Sequence, residues 1–489
     1  MMAVKRLEKL FEGCFLLAAA LILVQNGFLL ALAAAFGIWK AAQRPLPYFT
    51  ALLFCGTLAG ALLLILQLHP PLTSDFETLF RAARDLLAHD FSWQESAYFS
   101  LWAYQVPFVL WEAFWLSLWD SPVCLELAGA VCAAGTACLL YRLSRQWVSE
   151  CAAQAASVLL AVFPFFATFH TLPSNQVPSA FFMTLALWLL ACGDCGRLGF
   201  LRFPLAGLSL QAGNLLRSEG ILLVAALLAW GVFRLAAHPG EFRRLGAGAL
   251  VFLAVYCGVH AGAAACLRES GLSPGGLRNG DPLWKFVTGL SYEARGGYSE
   301  EDWGRIAATL DAHNQPTAET DALQKRMIAG RLAAGPSILV RHVRNKLRCQ
   351  WVADGLSWVF AGFSMQHPFL YGLLREYDRG IFFLALALSA YGISDKARWK
   401  RCPQAARLPY FVFFAAFCAF LLVEVQPRYA YLPQLYVFMG AAFGIDRLRE
   451  GKNHAEDIDH CTLPERGGEP SAVLPGDLAG RRGDGAGRV

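Results

Sequence analysis

Apolar blocks of roughly 17–25 residues recur along this chain, separated by short breaks that are basic or rich in Gly and Pro. A helix of about 20 apolar residues matches the hydrocarbon thickness of a bilayer, and a backbone crossing it must satisfy its own hydrogen bonds. Each block therefore predicts a transmembrane helix. The clearest fall at about 47–68, 123–143, 150–169, 177–192, 198–214, 220–236, 245–266, 379–394, 408–424 and 430–446. Over 489 residues, 56% are hydrophobic and 16% charged, against about 45–50% and about 25% in soluble domains. A soluble enzyme, a nucleic-acid binder and a disordered scaffold are excluded. The expected fold is an all-α polytopic membrane protein.

Two segments are less regular. Residues 102–119 are rich in Trp and carry Glu112, with Pro107 near their start, a pattern that suits an interfacial helix better than a crossing. Residues 10–39 are apolar but interrupted by Gln25, Asn26 and Gly27, which fits one long tilted helix or a hairpin of two. Charge chooses between topologies. With 102–119 at the interface, Lys40/Arg44, Arg142/Arg145, Arg197/Arg202, Arg234/Arg243/Arg244, Lys396/Arg398/Lys400/Arg401/Arg407 and the tail after Arg447 all share one side. By the positive-inside rule that side is cytoplasmic. The rule favours the hairpin, about twelve spans and two cytoplasmic termini, in a cell (plasma or inner) membrane. A cleaved signal peptide ending near Ala31–Ala35 is the other reading; the apolar run is too long for one and is retained here.

Three parts follow: an N-terminal hairpin or long helix at 1–45, a transmembrane catalytic domain at 46–450, and a disordered cytoplasmic tail at 451–489. Two long outer loops, about 69–121 and 267–378, belong to the middle part. Fourteen Cys lie mostly inside apolar runs, where Cys acts as a small hydrophobe. Cys192 and Cys195 form a lone pair at C-x-x-C spacing with no second pair to complete a zinc site.

The polar inventory gathers on the outer face. Asp75 and Glu77 follow directly on a span; a carboxylate partly shielded at the membrane boundary is placed to take a proton, and the plainer reading is a capped helix start. Arg217 and Glu219 sit between two spans with almost no loop. Arg217 either snorkels to headgroups or clamps a phosphate, for which a guanidinium is geometrically suited. Glu424, Gln426, Arg428 and Tyr429 form a third cluster, where Pro427 breaks the helix and Glu424 neutralises Arg428 in the simplest reading. His170, Asn175 and Gln176 occupy a short turn, solvated or bonded to sugar hydroxyls. Tyr98, Tyr104, Gln105, Trp111, Trp115 and Trp119 form an aromatic interfacial stretch. Trp284, Lys285, Phe286 and residues 292–302 open the second outer loop, where a substrate is gripped or covered. Arg341, Arg344, Lys346 and Arg348 read as an interfacial basic helix.

The order of these parts resembles a known family. Asp75 after its span, Tyr104-Gln105-Val106-Pro107, Leu-Tyr-Arg-Leu-Ser-Arg at 140–145, Phe163-Pro164-Phe165 leading to Ser174-Asn175-Gln176, Gly213 to Gly220, and Gln426-Pro427-Arg428-Tyr429 are together similar to membrane glycosyltransferases of the C superfamily (GT-C). The pattern is similar to that of bacterial members akin to protein O-mannosyltransferases and aminoarabinose transferases, of the family 39 type, over roughly residues 45–450. The resemblance implies a GT-C-like bundle of about 11–12 helices that moves a sugar from a polyprenyl-phosphate donor to a glycan, lipid or protein acceptor on the outer face. It implies Asp75 as general base, Arg217 and Arg428 on the donor phosphate, and inversion at the anomeric carbon. Where relatives carry two adjacent acids, Phe76 intervenes here before Glu77, and Ser218 stands where several have Pro. Glu219, Tyr429, Gln426, Asn175, Gln176, Tyr104, Gln105, Trp284 and Lys285 are the candidate substrate contacts. No cofactor is called for, although a divalent metal is compatible, and the bilayer rather than nucleic acid is the expected surroundings. A lipid or small-solute transporter is the alternative; it would place ionisable groups near mid-span, which are scarce here.

Overall fold

The computed structural model describes residues 27–191, 198–237, 239–352, 354–395 and 402–461. The Gln25–Asn26 break, Cys192 and Cys195, Arg197, the basic run Lys396–Arg401 and the tail beyond Cys461 lie outside the described residues. The chain divides into two units, Met1–Arg447 and Leu448–Val489. The second is helical as far as Cys461; the first carries everything discussed below.

Every regular element among the described residues is helical. In chain order they are α1 Gly27–Ala41, α2 Phe49–Gln67, α3 Ser74–Leu87, α4 Val106–Leu118, α5 Pro122–Ser144, α6 Glu150–Ala161, α7 Gln176–Ala191, α8 Arg202–Leu216 and α9 Gly220–Ala237. They continue with α10 Phe242–Glu269, α11 Trp284–Gly289, α12 Glu300–Ala307, α13 Ala318–Leu332, α14 Pro336–Leu347, α15 Pro368–Ser394, α16 Leu408–Leu422 and α17 Tyr431–Cys461, with short helical turns between. Four described helices are long and apolar enough to cross a bilayer: α2, α5, α10 and Ala405–Leu422. The block expected at 150–169 is a fifth when taken with its bend, because Pro164 ends α6's hydrogen-bond ladder and the chain resumes at 62° as Pro164–Thr171. The protein is an all-helical, multi-pass membrane protein.

Burial orders these helices. Of α5's apolar window 72% is buried, against 17% for α10, so α5 is central and α10 peripheral. The central helices approach closely through small residues, as membrane helices do in the absence of a hydrophobic drive. A side chain at Gly213 of α8 would meet the Ser179 carbonyl of α7 at 2.9 Å, and Ser179 instead donates to the Gly213 carbonyl at 2.9 Å. This contact fixes the end of α8 and, with it, the turn carrying Arg217.

The two ends of the bundle differ. At one, Ser149 donates its N–H to Asp446 at 3.1 Å, and Gln154 exchanges hydrogen bonds with the Leu46 backbone at 2.9 and 3.0 Å. At the other, α2, α8 and α16 end, and the two long segments after α2 and α10 fold over them. The 102–119 stretch becomes α4, begun by Pro107 and packed on α3 and α5; Glu112 is fully buried in it.

Candidate functional site

Three helix ends bring charge to one place. After α2 the chain enters α3 through Ser74, whose φ of 56° is a left-handed conformation unusual for a residue with a Cβ. The capping position is Thr73, and its side chain makes no cap bond. Asp75 is therefore not spent on the helix start. Its carboxylate accepts from Arg428 Nη2 at 2.5 Å, across 353 residues of sequence. Arg428 is buried, also donates Nε to Gln426 Oε1 at 2.7 Å, and lies 5.0 Å from the Phe76 ring and 5.1 Å from the Trp358 ring. The Phe that separates the two acids thus has a position of its own under the guanidinium.

Arg217, leaving α8, pairs with Glu219 and donates to Asn175 Oδ1 at 3.2 Å. Asn175 bonds Gln105 at 3.4 Å, and Gln105 bonds the Tyr98 hydroxyl at 3.3 Å. Lys285 of α11 pairs with the buried Glu424, which also accepts from Gln426 at 2.8 Å. The simplest expectation for Glu424 is thereby corrected: it neutralises Lys285, and Arg428 faces Asp75. Tyr429 is the hub. Arg217, Lys285 and Arg428 lie 4.8, 5.7 and 5.5 Å from its ring centroid, within range for attraction to a π face. Burial, then the Glu424 carboxylate, raises the Tyr429 hydroxyl above its ordinary range, so the ring stays neutral. Burial opposes charge on Lys285, but its acidic surroundings, the paired Glu424 carboxylate among them, outweigh it and the ammonium is held.

These side chains line a cavity of about 930 Å³. Asp75, Arg217, Glu219, Tyr104, Gln105, Asn175, Trp284, Lys285, Gln426, Arg428 and Tyr429 all reach it. Two candidates do not. Glu77, two residues on and so on the opposite side of α3, faces away and pairs with Arg81, itself mostly in solvent. Gln176 is buried behind the wall on Ser174 at 2.7 Å. The turn that leads into Gln176 is packed rather than solvated: His170 is 1% exposed, with Nε2 facing the Ala61 carbonyl at 3.4 Å. One side of the cavity is apolar, formed by Ile221 and Leu222 of α9 with Ala419, Phe420 and Val423 around the end of α16.

The second long segment holds the Glu424 turn in place. Glu424 N–H donates to the Lys285 carbonyl and Val425 N–H to the Gly296 carbonyl, both at 2.8 Å. Gly289 approaches so closely that a Cβ there would meet the Leu422 carbonyl at 2.3 Å. Beneath them Lys346, 1% exposed, donates to the carbonyls of Gly289, Leu421 and Val423 at 2.7, 3.0 and 2.8 Å. Lys346 is thus a buried clasp and not part of the expected basic interfacial helix; nothing in the local spacing separates a clasp from a solvated charge. Trp358 carried no signal at all. Among the described residues no three His, Cys, Asp or Glu side chains cluster as a metal site would require.

Fold and cavity together make this a polytopic membrane protein with a charged pocket at the ends of its helices. Residues 106–259 match the family model described as dolichyl-phosphate-mannose-protein mannosyltransferase, in agreement with the resemblance to membrane glycosyltransferases of the C superfamily. Among solved structures, the chain is similar to the archaeal oligosaccharyltransferase AglB from Archaeoglobus fulgidus, in complex with an inhibitory peptide and a dolichol-phosphate. That likeness has a TM-score of 0.48 and 13% identity over 86% of this chain and 52% of the other, so the chain spans about half the archaeal enzyme's length. A second is ArnT from Cupriavidus metallidurans bound to undecaprenyl phosphate, with a TM-score of 0.35 and 15% identity over 85% of this chain and 81% of that one. No curated protein matches the chain.

Proposed function

We propose that this protein is an inverting membrane glycosyltransferase that uses a polyprenyl-phosphate-linked sugar on the outer face of the membrane. The observation that carries the reading is the meeting of Asp75 with Arg428, beside Arg217, in one cavity at the helix ends. A transporter would instead need its charges at mid-span between discontinuous helices.

The chemistry follows from the positions. The apolar wall of Ile221, Leu222, Ala419, Phe420 and Val423 suits the first isoprene units of a carrier leaving toward the bilayer. The carrier phosphate then meets Arg217, Lys285 and Arg428 around Tyr429. Each cation is already balanced by a carboxylate: Glu219, Glu424 and Asp75 respectively. A phosphate bound to Arg428 competes with Asp75 for the same donors and frees that carboxylate as a base. Asp75 takes the proton of the acceptor hydroxyl, and the acceptor oxygen bonds to the anomeric carbon from the side opposite the phosphate. The carbon–oxygen bond to phosphate breaks with its electron pair on the departing polyprenyl phosphate. Charge growing there is met by preplaced guanidinium and ammonium groups, the kind of term that usually dominates catalysis.

Asp75→Asn tests the assignment in membranes from a deletion strain, where sugar transfer should be lost while the protein inserts and accumulates as before. Transfer retained by this variant removes Asp75 as the base. Arg217→Ala and Arg428→Ala should each weaken binding of undecaprenyl phosphate to the purified protein; unchanged binding in both would leave the cavity without its donor.

A further inference from the structure

A cavity of about 930 Å³ is near the top of the range of about 300–1,000 Å³ for a whole drug-sized ligand. Part of its lining is built from aromatic rings. Trp102 and Trp303 lie 6.2 Å apart at 34°, Trp303 meets Trp284 at 5.5 Å, and Trp284 meets Tyr298 at 6.0 Å. Both long segments contribute, and they are stitched together there: Trp102 and Asn279 form a backbone bridge, and Gly280 N–H donates to the Leu101 carbonyl at 2.7 Å. Asn279 and Glu300 line the same part, with the Tyr298 hydroxyl donating to Glu300 at 3.2 Å. Tyr98 packs edge-on against Trp102 at 5.1 Å and continues through Gln105 and Asn175 to Arg217. The aromatic wall and the charged pole are thus two regions of one cavity.

We propose that this wall is the acceptor subsite and that the acceptor is a carbohydrate, either a free glycan or the sugar headgroup of a glycolipid. The inference rests on the glycosyltransferase reading and adds the acceptor's class. Trp284 is buried behind this wall, and the half-buried Trp102 and Trp303 with the exposed Tyr298 offer flat apolar surface to the C–H face of a pyranose. Asn279 supplies donors and an acceptor, and Glu300 supplies acceptors, for the hydroxyls at its rim. An aliphatic acceptor would not use those polar groups. A peptide acceptor in extended form would look for a free row of backbone N–H and C=O groups, whereas this wall is made of side chains.

The test uses the full chain in phosphatidylglycerol nanodiscs and saturation-transfer difference NMR. The probes are mannose- and glucose-configured tetrasaccharides, a Ser/Thr-containing nonapeptide and, in a separate arm, a diglucosyl diacylglycerol built into the disc. Saturation transfer to pyranose ring protons of a soluble saccharide or of the glycolipid supports the proposal, and the responding arm identifies the source. Affinity for that probe should fall at least fivefold in Trp303→Ala, Asn279→Ala and Glu300→Gln. Asn279 and Glu300 are exposed, so those two variants carry the test if the Trp303 variant does not fold. Transfer to the nonapeptide alone, no transfer to any saccharide, or saccharide binding unchanged in all three variants overturns it. Undecaprenyl phosphate binding is measured alongside: its failure in the unmodified protein counts against the enzyme reading itself, while its persistence with no saccharide response counts against the acceptor class only.

Discussion

Lys346→Met isolates one structural idea, that a buried ammonium holds the Glu424–Tyr429 turn against the second long segment. The native side chain serves three carbonyls. Of these, the Gly289 oxygen keeps a partner in the variant, since His342 Nε2 lies 3.0 Å from it. The carbonyls of Leu421 and Val423, at the end of α16, lose Lys346 and belong to the set a helix cannot satisfy internally. An orphaned buried carbonyl costs about 1–3 kcal/mol, giving about 2–6 kcal/mol for two. Against this stands relief of burying a charge, for burial has already drawn the Lys346 ammonium down to about 8 while the Glu424 carboxylate works the other way. A net loss of about 2–4 kcal/mol is expected, which lowers a melting midpoint by several °C. Heating the detergent-purified protein with a thiol-reactive dye reads this directly, because Cys124, Cys132, Cys138 and Cys151 are buried in the folded chain. Undecaprenyl phosphate affinity should fall as well, since Arg428 and Tyr429 sit on the released turn. A variant that melts with the native protein and binds the lipid as tightly would refute the clasp.

Glu77→Gln should leave transfer within about twofold of the native rate, because Glu77 pairs with Arg81 outside the cavity; a loss as deep as that of Asp75→Asn would return it to the site. Tyr429→Phe should retain donor affinity while Tyr429→Leu lowers it about fivefold, the equivalent of about 1 kcal/mol of cation–π attraction, read by lipid titration. Glu112, with both carboxylate oxygens unpartnered and burial holding its proton well above the usual carboxylate range, should be a liability as pH rises. From the unfolded value near 4.5 upward the native state keeps a proton the unfolded chain gives up, so stability falls through that window. Glu112→Gln should flatten the fall in melts taken between pH 4.5 and 7.5, and a variant with the native slope would show another group responsible.

The helices were the legible part of the fold. The blocks expected at 123–143 and 47–68 are Pro122–Ser144 and Phe49–Gln67, because a bilayer imposes one length on every element that crosses it. The bend after α6 was not read from the same pattern: periodicity reports apolar content, and Pro164 changes direction without changing that content. His170 and Gln176 failed for a related reason, since polar residues in a short turn look solvated until the packing around them is known.

At the site, sequence identified the out-of-place charges and not their partners. Arg217, Asp75 and Arg428 drew attention because a charge at the end of an apolar helix is costly unless something meets it. The cost of an unmet charge marks which side chain needs a partner and not where that partner lies. Glu424 has Arg428 four residues away, yet its partner is Lys285, 139 residues back, because the Glu424 N–H is drawn to the Lys285 carbonyl and carries the carboxylate there. Arg428 is thereby left for Asp75. The pairing that makes a candidate base therefore depends on α11 and α14 in the second long segment, whose residues show no membrane periodicity. A chain with the same three helix-end motifs and a different segment would keep the charges and rearrange the pairs, so transplanting residues 270–367 between relatives should move donor affinity even where Asp75, Arg217 and Arg428 are all retained.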